Sequence, residues 1–300
     1  IEISRVQRFA GTMILFWPFA WSLTMTSRQL GVPAFFLGKK ILGGFIGAAF
    51  LHRTSFQASL GGGCIWNDIV DMDLDAQRTK HRPLPDGKIS VFLATIFLLI
   101  HVLILGILSI SMNSTSYVLA FLTAIPLTGI YPYMKRVTDF PQVWLGFTLN
   151  VPVLIGSSIV TNNISGTSLI LAFGSFAWTM WYDTIYGSQD KRDDMKAGVK
   201  SIVLILHHYQ YTHKALGAFA SALLLSWIVL GVINDSSIWY FVITIGGGGL
   251  LLIHDYALID LDRPESCLYV FERSGFVIGP LVWFGFMIDY MLGNTGLALS

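Results

Sequence analysis

Nine apolar segments alternate with short polar turns along this chain, at residues 11–26, 41–66, 89–111, 116–132, 141–161, 167–187, 213–233, 238–258 and 274–292. Several fall short of the ~20 residues that span a bilayer as a helix, but the pattern as a whole is that of a chain crossing a bilayer repeatedly. It predicts an all-α polytopic membrane protein of about nine transmembrane helices. Turn chemistry separates many segments: Arg82-Pro83-Leu84-Pro85-Asp86-Gly87, Asn162-Asn163-Ile164-Ser165-Gly166 and Asn234-Asp235-Ser236-Ser237. No low-complexity segment or interdomain linker interrupts the series, so residues 1–300 read as a single transmembrane domain.

Charge along the chain adds an orientation. If the helices alternate, Arg5, Arg8, Arg78, Lys80, Arg82, Lys88, Lys135, Arg136, Lys191, Arg192, Lys196, Lys200, Lys214, Arg263 and Arg273 share one side. Arg28, Lys39 and Lys40 take the other, and Arg53 sits within a helix. Positive loops stay in the cytoplasm, which places the N-terminus there and the C-terminus across the membrane. Composition agrees: 54% of residues are hydrophobic and only 12% charged, about half the charged fraction of a soluble domain. The net charge of +1 says nothing about nucleic acid, but there is no basic run of the kind that binds it, so no nucleic-acid partner is expected. Cys64 and Cys267, the only cysteines, lack metal-ligand spacing, which argues against a zinc site or disulfide framework. Residues 11–25 read as a first membrane helix and not a cleavable signal, because no small-residue cleavage pattern follows.

Two acidic clusters stand at the cytoplasmic ends of apolar segments. The first is Asn67-Asp68-Ile69-Val70-Asp71-Met72-Asp73-Leu74-Asp75; the second runs from Asp183 through Tyr186 and Asp190 to Asp193-Asp194. At 100° per residue, Asp68, Asp71 and Asp75 share one helix face, as do Asp183, Tyr186, Asp190 and Asp194. Carboxylates so close repel unless neutralised. Oxygen-only ligands suit Mg²⁺, usually with a substrate diphosphate completing its shell. Cations follow each cluster: Arg78, Lys80 and Arg82 after the first, Lys191, Arg192, Lys196 and Lys200 after the second. Tyr131-Pro132-Tyr133-Met134-Lys135-Arg136 reads as a further cytoplasmic turn between them. Metal-bound carboxylates with loop Lys and Arg would stabilise a departing diphosphate. The competing reading is that these charges only solvate loop ends and fix topology. Offset by 115 residues, Asp68 meets Asp183 and Asp75 meets Asp190, which is compatible with an internal repeat of about four helices.

These residues resemble the UbiA superfamily of intramembrane prenyltransferases. Its two aspartate-rich motifs are matched by Asn67-Asp68-x-x-Asp71-x-x-x-Asp75 and Asp183-x-x-Tyr186-x-x-x-Asp190-x-x-x-Asp194. Further matches are Gly11-Thr12 with Leu15-Phe16-Trp17-Pro18, Arg82-Pro83-Leu84-Pro85-x-Gly87, Tyr131-Pro132-x-x-Lys135-Arg136, Pro141-Gln142 and Gly198-Val199-Lys200-Ser201. The last third matches by helix count only. The resemblance implies nine transmembrane helices around a central chamber with a cytoplasmic cap, and Mg²⁺ bridging an isoprenyl diphosphate to both motifs. It assigns Asn67, Asp68, Asp71, Asp75, Asp190 and Asp194 to the metal–diphosphate set, with Asp183 and Tyr186 in support. Arg78, Lys135, Arg136 and Lys200 become diphosphate contacts. The allylic C–O bond then ionises, and an electron-rich carbon of a phenolic acceptor captures the carbocation.

The chain departs from ubiquinone-pathway members, which typically carry Arg-x-Asp-Lys-Pro-x-Gly at the first helix; here Arg5-Val6-Gln7-Arg8-Phe9-Ala10-Gly11 lacks the acid and the proline. Before the first motif, Leu60-Gly61-Gly62-Gly63-Cys64 replaces an arginine common among relatives, which leaves less to hold an acceptor carboxylate. A specialised-metabolism enzyme acting on an orsellinic-type phenol fits this drift, as does a terpene cyclase that needs no acceptor. A cation transporter fits poorly, because its carboxylates belong near the midplane beside broken helices. Arg53 and Gln57 share broadly the face of Asp68 and are weak candidates for the chamber wall, against snorkelling or pairing for Arg53. Asn150 is a weak acceptor candidate, against an ordinary interhelical hydrogen bond. The Gly246–Gly249 run reads as close helix packing or a local break, and not a phosphate loop.

Overall fold

The computed structural model describes residues 9–55, 65–76 and 83–294, with side chains for all of these except 53–55 and 294. Its regular structure is entirely helical among the described residues. The long helices are α1 (Ala10–Gln29), α2 (Ala34–Ser55), α3 (Val91–Ser109), α4 (Ser114–Val137), α5 (Pro141–Thr161), α6 (Gly166–Gly187), α7 (Thr212–Ile233), α8 (Ile238–Leu258) and α9 (Pro264–Gly293). Seven of them, all but α1 and α6, are long and apolar enough to cross a membrane.

The two exceptions have a physical reason. Ile14–Ser27 of α1 and Ala177–Tyr186 of α6 are buried without a break, so protein surrounds them on all sides. Their Thr, Ser and Trp residues lower hydropathy; some find hydrogen-bond partners inside, whereas the polar atoms of Ser22, Thr26, Ser27, Trp178, Trp181 and Thr184 are buried without one among the described residues. Trp17 and Trp21, one turn apart, donate their indole N–H groups to the carbonyls of Gly275 (2.6 Å) and Gly279 (3.0 Å). Trp283 returns a bond to Thr24 Oγ1 at 3.0 Å. The outer helices instead expose apolar rows such as Phe92, Leu99, Leu103 and Ile107 of α3. Such a surface is an anomaly in water and ordinary against lipid.

Predicted and observed boundaries differ where charges or prolines interrupt the apolar pattern. Helix α2 begins at Ala34, before Lys39 and Lys40, and α9 begins at Pro264, well before residue 274. Residues 131–136, expected as a turn, continue α4, with Tyr131 and Pro132 buried. Tertiary bonds hold that end: Trp66 donates to Gly129 O (3.0 Å) and Arg136 to Val70 O (2.9 Å), overriding local propensity. Wide i→i+5 turns lie inside α4 at Thr123–Leu127, which contains Pro126, in α8 at Phe241–Gly247, and in α9 at Ser274–Ile278. The four-glycine run therefore serves both expected roles. Gly247 closes the wide turn, and a methyl group on Gly248 would lie 3.0 Å from Trp227.

One end of the bundle is tied by Arg28. Its guanidinium bonds Asp289 (3.0 Å) and the carbonyls of Asn234 (2.7 Å) and Asp235 (2.8 Å), joining α1, the α7–α8 turn and α9. The acidic clusters gather at the opposite end.

Candidate functional site

The first cluster occupies two short helices, Ile65–Val70 and Met72–Asp75, with Asp71 between them. Bonds from Asp71 N to Asn67 O and from Asp75 N to Asp71 O, both 2.8 Å, carry the i→i−4 register across the junction. The predicted shared face therefore survives, and Asn67, Asp68, Asp71 and Asp75 are all buried. In the second cluster the helix does not run on. Helix α6 stops at Gly187, a tight turn covers Ser188–Asp190, and a new helix spans Lys191–Lys196. Asp183, Tyr186, Asp190 and Asp194 are buried all the same.

Lys135 joins these parts. Its ammonium lies 2.5 Å from Asp71 Oδ2 and 3.4 Å from Asn67 Oδ1, while Asn67 donates to Asp71 Oδ2 at 3.0 Å. The Lys135 carbonyl accepts from the Lys200 backbone N–H at 3.1 Å. The turn carrying Lys200 is itself pinned: Gln142 accepts from Ile202 N (3.0 Å) and donates to Ser201 Oγ (2.8 Å). Val199 N bonds Asp194 O at 3.0 Å, and Gly198 supplies the positive φ of 66° the turn requires. The Pro141-Gln142 and Gly198–Ser201 stretches thus lock each other beside the second cluster.

Other candidates are placed differently. Arg136 faces the surface, where two nitrogens grip Asp73 at 2.7 and 2.9 Å; that hydrogen bond holds the Asp73 carboxyl below its ordinary range. The Lys200 ammonium is half-exposed, 3.9 Å from Asp139. Asn150 donates to Gly146 O (2.7 Å) and Thr179 Oγ1 (2.9 Å), an interhelical bond that leaves Oδ1 without a partner among the described residues. Gln57 and Arg78 lie outside the described residues, as does the Arg53 side chain.

Sequence reasoning missed the contribution of the last third. Phe271 of α9 packs its ring 4.2 Å from Tyr186 and 5.9 Å from Tyr182. Lys191, read as one of the cations following the second cluster, donates to Leu261 O (3.2 Å) and pairs with Asp262, whose carboxyl it holds low. No motif marks these positions. His52 bonds Thr12 Oγ1 (3.1 Å), and its ring fills the space that any side chain at Gly11 would need.

Among the described residues, no three His, Cys, Asp or Glu side chains form a ready metal cage. Mg²⁺ seldom needs one, because it binds through one or two carboxylates plus substrate phosphates. The donor set fits that use. Asp71 Oδ1 and Asp183 Oδ2 are buried oxygens with no hydrogen-bond partner among the described residues, a costly state unless a cation completes it.

Comparison with known proteins matches residues 15–279 to the model of the UbiA prenyltransferase family. A UbiA prenyltransferase, claS, of Ampulloclitocybe clavipes is 42% identical over 292 residues, covering 97% of this chain and 90% of that protein. The mitochondrial 4-hydroxybenzoate polyprenyltransferase of Drosophila melanogaster is 33% identical, over 97% of this chain and 71% of that protein. Among solved structures, a UbiA homolog from Aeropyrum pernix K1 superposes with a TM-score of 0.74 at 21% identity, over 92% of this chain and 97% of that one. A UbiA homolog from Archaeoglobus fulgidus bound to GPP and Mg²⁺ gives 0.61 at 14% identity, over 98% of this chain and all of that one.

Proposed function

Because this chain belongs to the UbiA prenyltransferase family, we propose that it transfers an isoprenyl group from an isoprenyl diphosphate to a phenolic acceptor with Mg²⁺. Prenyl transfer follows from the family; the metal, the acceptor and the residue roles are the proposal. The observation that carries it is the pair of buried carboxylate oxygens, Asp71 Oδ1 and Asp183 Oδ2, that have no hydrogen-bond partner among the described residues, at the end of the bundle where Lys135 stands.

In this reading Asp68, Asp71 and Asp75 hold metal from one side and Asp183, Asp190 and Asp194 from the other. Bound there, Mg²⁺ supplies Lewis-acid stabilisation of the leaving diphosphate. Asn67 and Lys135, which both bond Asp71, would contact the diphosphate in this reading, as would Lys200 and Arg78. Arg136, already engaged by Asp73, fixes the first cluster from outside. Tyr186 packs its ring on Phe271, and in this reading the two rings keep water away from the allylic cation. The active site faces the cytoplasm, where the charge bias puts it. A phenolic acceptor is supported by the relatives named for 4-hydroxybenzoate.

The test incubates purified protein with Mg²⁺ and geranyl, farnesyl or geranylgeranyl diphosphate, with and without phenolic acids, and reads products by mass spectrometry. A prenylated phenol formed only when the phenol is present, and lost in Asp71→Ala and Asp190→Ala protein that still folds in detergent, is the expected result. A cyclic hydrocarbon from the diphosphate alone identifies a cyclase and overturns the acceptor. Full activity in either variant overturns the metal roles.

A further inference from the structure

A cavity of about 470 Å³ lies between α1, α2, α3, α4 and α5. Among the described residues, none from either acidic cluster or from α6 to α9 borders it. Its two ends differ in chemistry. Leu15, Leu51 and Pro152 enclose the inner end with apolar groups, whereas Lys39, Lys40 and Ser111 stand at the outer one. Phe36, Lys39 and Gly43 are exposed, so the cavity opens along this rim. The charge bias leaves few cations on this side of the bundle, and Arg28 is already engaged by Asp289 and two carbonyls. Lys39 and Lys40 have no carboxylate partner among the described residues. Their ammonium groups lie over the rings of Phe35 (5.7 Å) and Phe36 (5.3 Å), one turn nearer the start of α2. That aim carries both charges outward to the headgroup level while their stems stay in apolar surroundings.

We infer that this cavity seats one anionic phospholipid of the leaflet opposite the aspartates, its phosphate against Lys39 and Lys40 and an acyl chain in the apolar bore. This site stands apart from the prenyltransferase reading and does not depend on it. The dimensions fit. From Lys40 to Leu51, α2 rises about 16 Å, close to half of the ~30 Å hydrocarbon core and so to the depth of one leaflet. The volume falls in the ordinary range for ligand pockets. Apolar walls alone would not select an occupant, because lipid tails are as apolar as the helices around them. The two lysines supply the selection, since a basic pocket between membrane helices favours an anionic headgroup. Their N–H donors suit the charged oxygens of a phosphate diester. A zwitterionic lipid brings its own cation beside that phosphate and meets repulsion here.

The experiment adds dioleoyl phosphatidylglycerol or dioleoyl phosphatidylcholine to the full-length protein in detergent and measures bound lipid by native mass spectrometry. Two perturbations separate headgroup from chain. Lys39→Gln with Lys40→Gln removes the charge. Gly43→Leu obstructs the opening without a clash, since a methyl group on Gly43 would meet nothing within 4 Å. Lys214→Gln is the control, an exposed lysine on the side of the aspartates. Wild type and the control are expected to prefer phosphatidylglycerol over phosphatidylcholine by about tenfold or more. The double lysine variant should lose about tenfold in phosphatidylglycerol affinity and none for phosphatidylcholine. Gly43→Leu should weaken both lipids alike. Wild type without a preference, or a preference that survives the double variant, overturns the headgroup assignment. Unaltered binding in Gly43→Leu puts the lipid on the outer surface and overturns the cavity. Displacement of bound phosphatidylglycerol by geranylgeranyl diphosphate gives the space to another ligand and overturns the proposal as well.

Discussion

Lys135→Met removes one charge at the most connected point of the candidate site. The ammonium and the Asp71 carboxylate are 12% and 3% exposed and 2.5 Å apart. At an effective dielectric of 20, their attraction is about 7 kcal/mol before desolvation is subtracted. Breaking a buried pair by deleting one partner typically costs about 3–5 kcal/mol, because the remaining charge is stranded. The site opens at the water boundary, which favours the lower figure. In metal-free detergent solution the variant should therefore unfold with a stability loss of about 3 kcal/mol. Added Mg²⁺ should return part of that loss, since the ion neutralises the stranded Asp71 carboxylate and binds the folded state preferentially. The assay is thermal unfolding of wild type and variant in chelator and at several Mg²⁺ concentrations. An unchanged midpoint in chelator, or an identical Mg²⁺ response in both proteins, would falsify the view that Lys135 and a cation compete to neutralise Asp71.

Two further perturbations test the frame and its edge. Gly156 lets α5 cross α1 so closely that a methyl group there would stand 2.5 Å from Phe19 O and 3.0 Å from Leu23 N; because backbone cannot step aside, Gly156→Ala should cost about 1–3 kcal/mol, and an unaltered thermal midpoint would contradict the crossing. At the surface, Arg136 depresses the Asp73 pKa, so this pair stabilises the fold above the ordinary carboxylate value of 3.8 and loses that contribution as pH falls through the depressed one. The exposed pair contributes within about 1 kcal/mol, so Arg136→Ala should flatten the acid limb of a stability–pH curve slightly, and a curve left unchanged would remove Arg136 from the account.

The helices were legible because lipid and core both demand apolar residues, and no other feature of the chain competes with that pattern. Where two demands overlap, reading failed. Lys39 and Lys40 hid the first turns of α2, and Glu265, Glu272 and Arg273 hid the first turns of α9. Pro132 beside two cations imitated a turn inside α4. The aspartates were legible because their spacing survives even where the helix breaks at Asp71. At Gly187 the same spacing misled, since a tight turn interrupts the face expected to be continuous. Asn150 was visible as a polar residue in a span, but only its bond to Thr179 shows its interhelical role.

The unmarked last third has a mechanical reason to belong to the site. The two clusters are held by different means: basic residues of α4 grip the first, whereas aromatic and loop contacts from 261–271 cover the second. Those contacts act only if the first turns of α9 keep their rotation. Arg273 fixes it, with Nε reaching both oxygens of the buried Asp255 at 2.9 and 3.2 Å, and His254 Nδ1 lies 3.0 Å from Asp255 Oδ1. A buried ion pair is weak evidence for net stability, yet a paired geometry of this kind restricts how one helix turns against another. Phe271 is two residues before Arg273, so the same restraint positions the ring that packs on Tyr186. A segment with no recognisable motif can thus be as necessary to the second cluster as the aspartates themselves, because it governs their setting and not their chemistry.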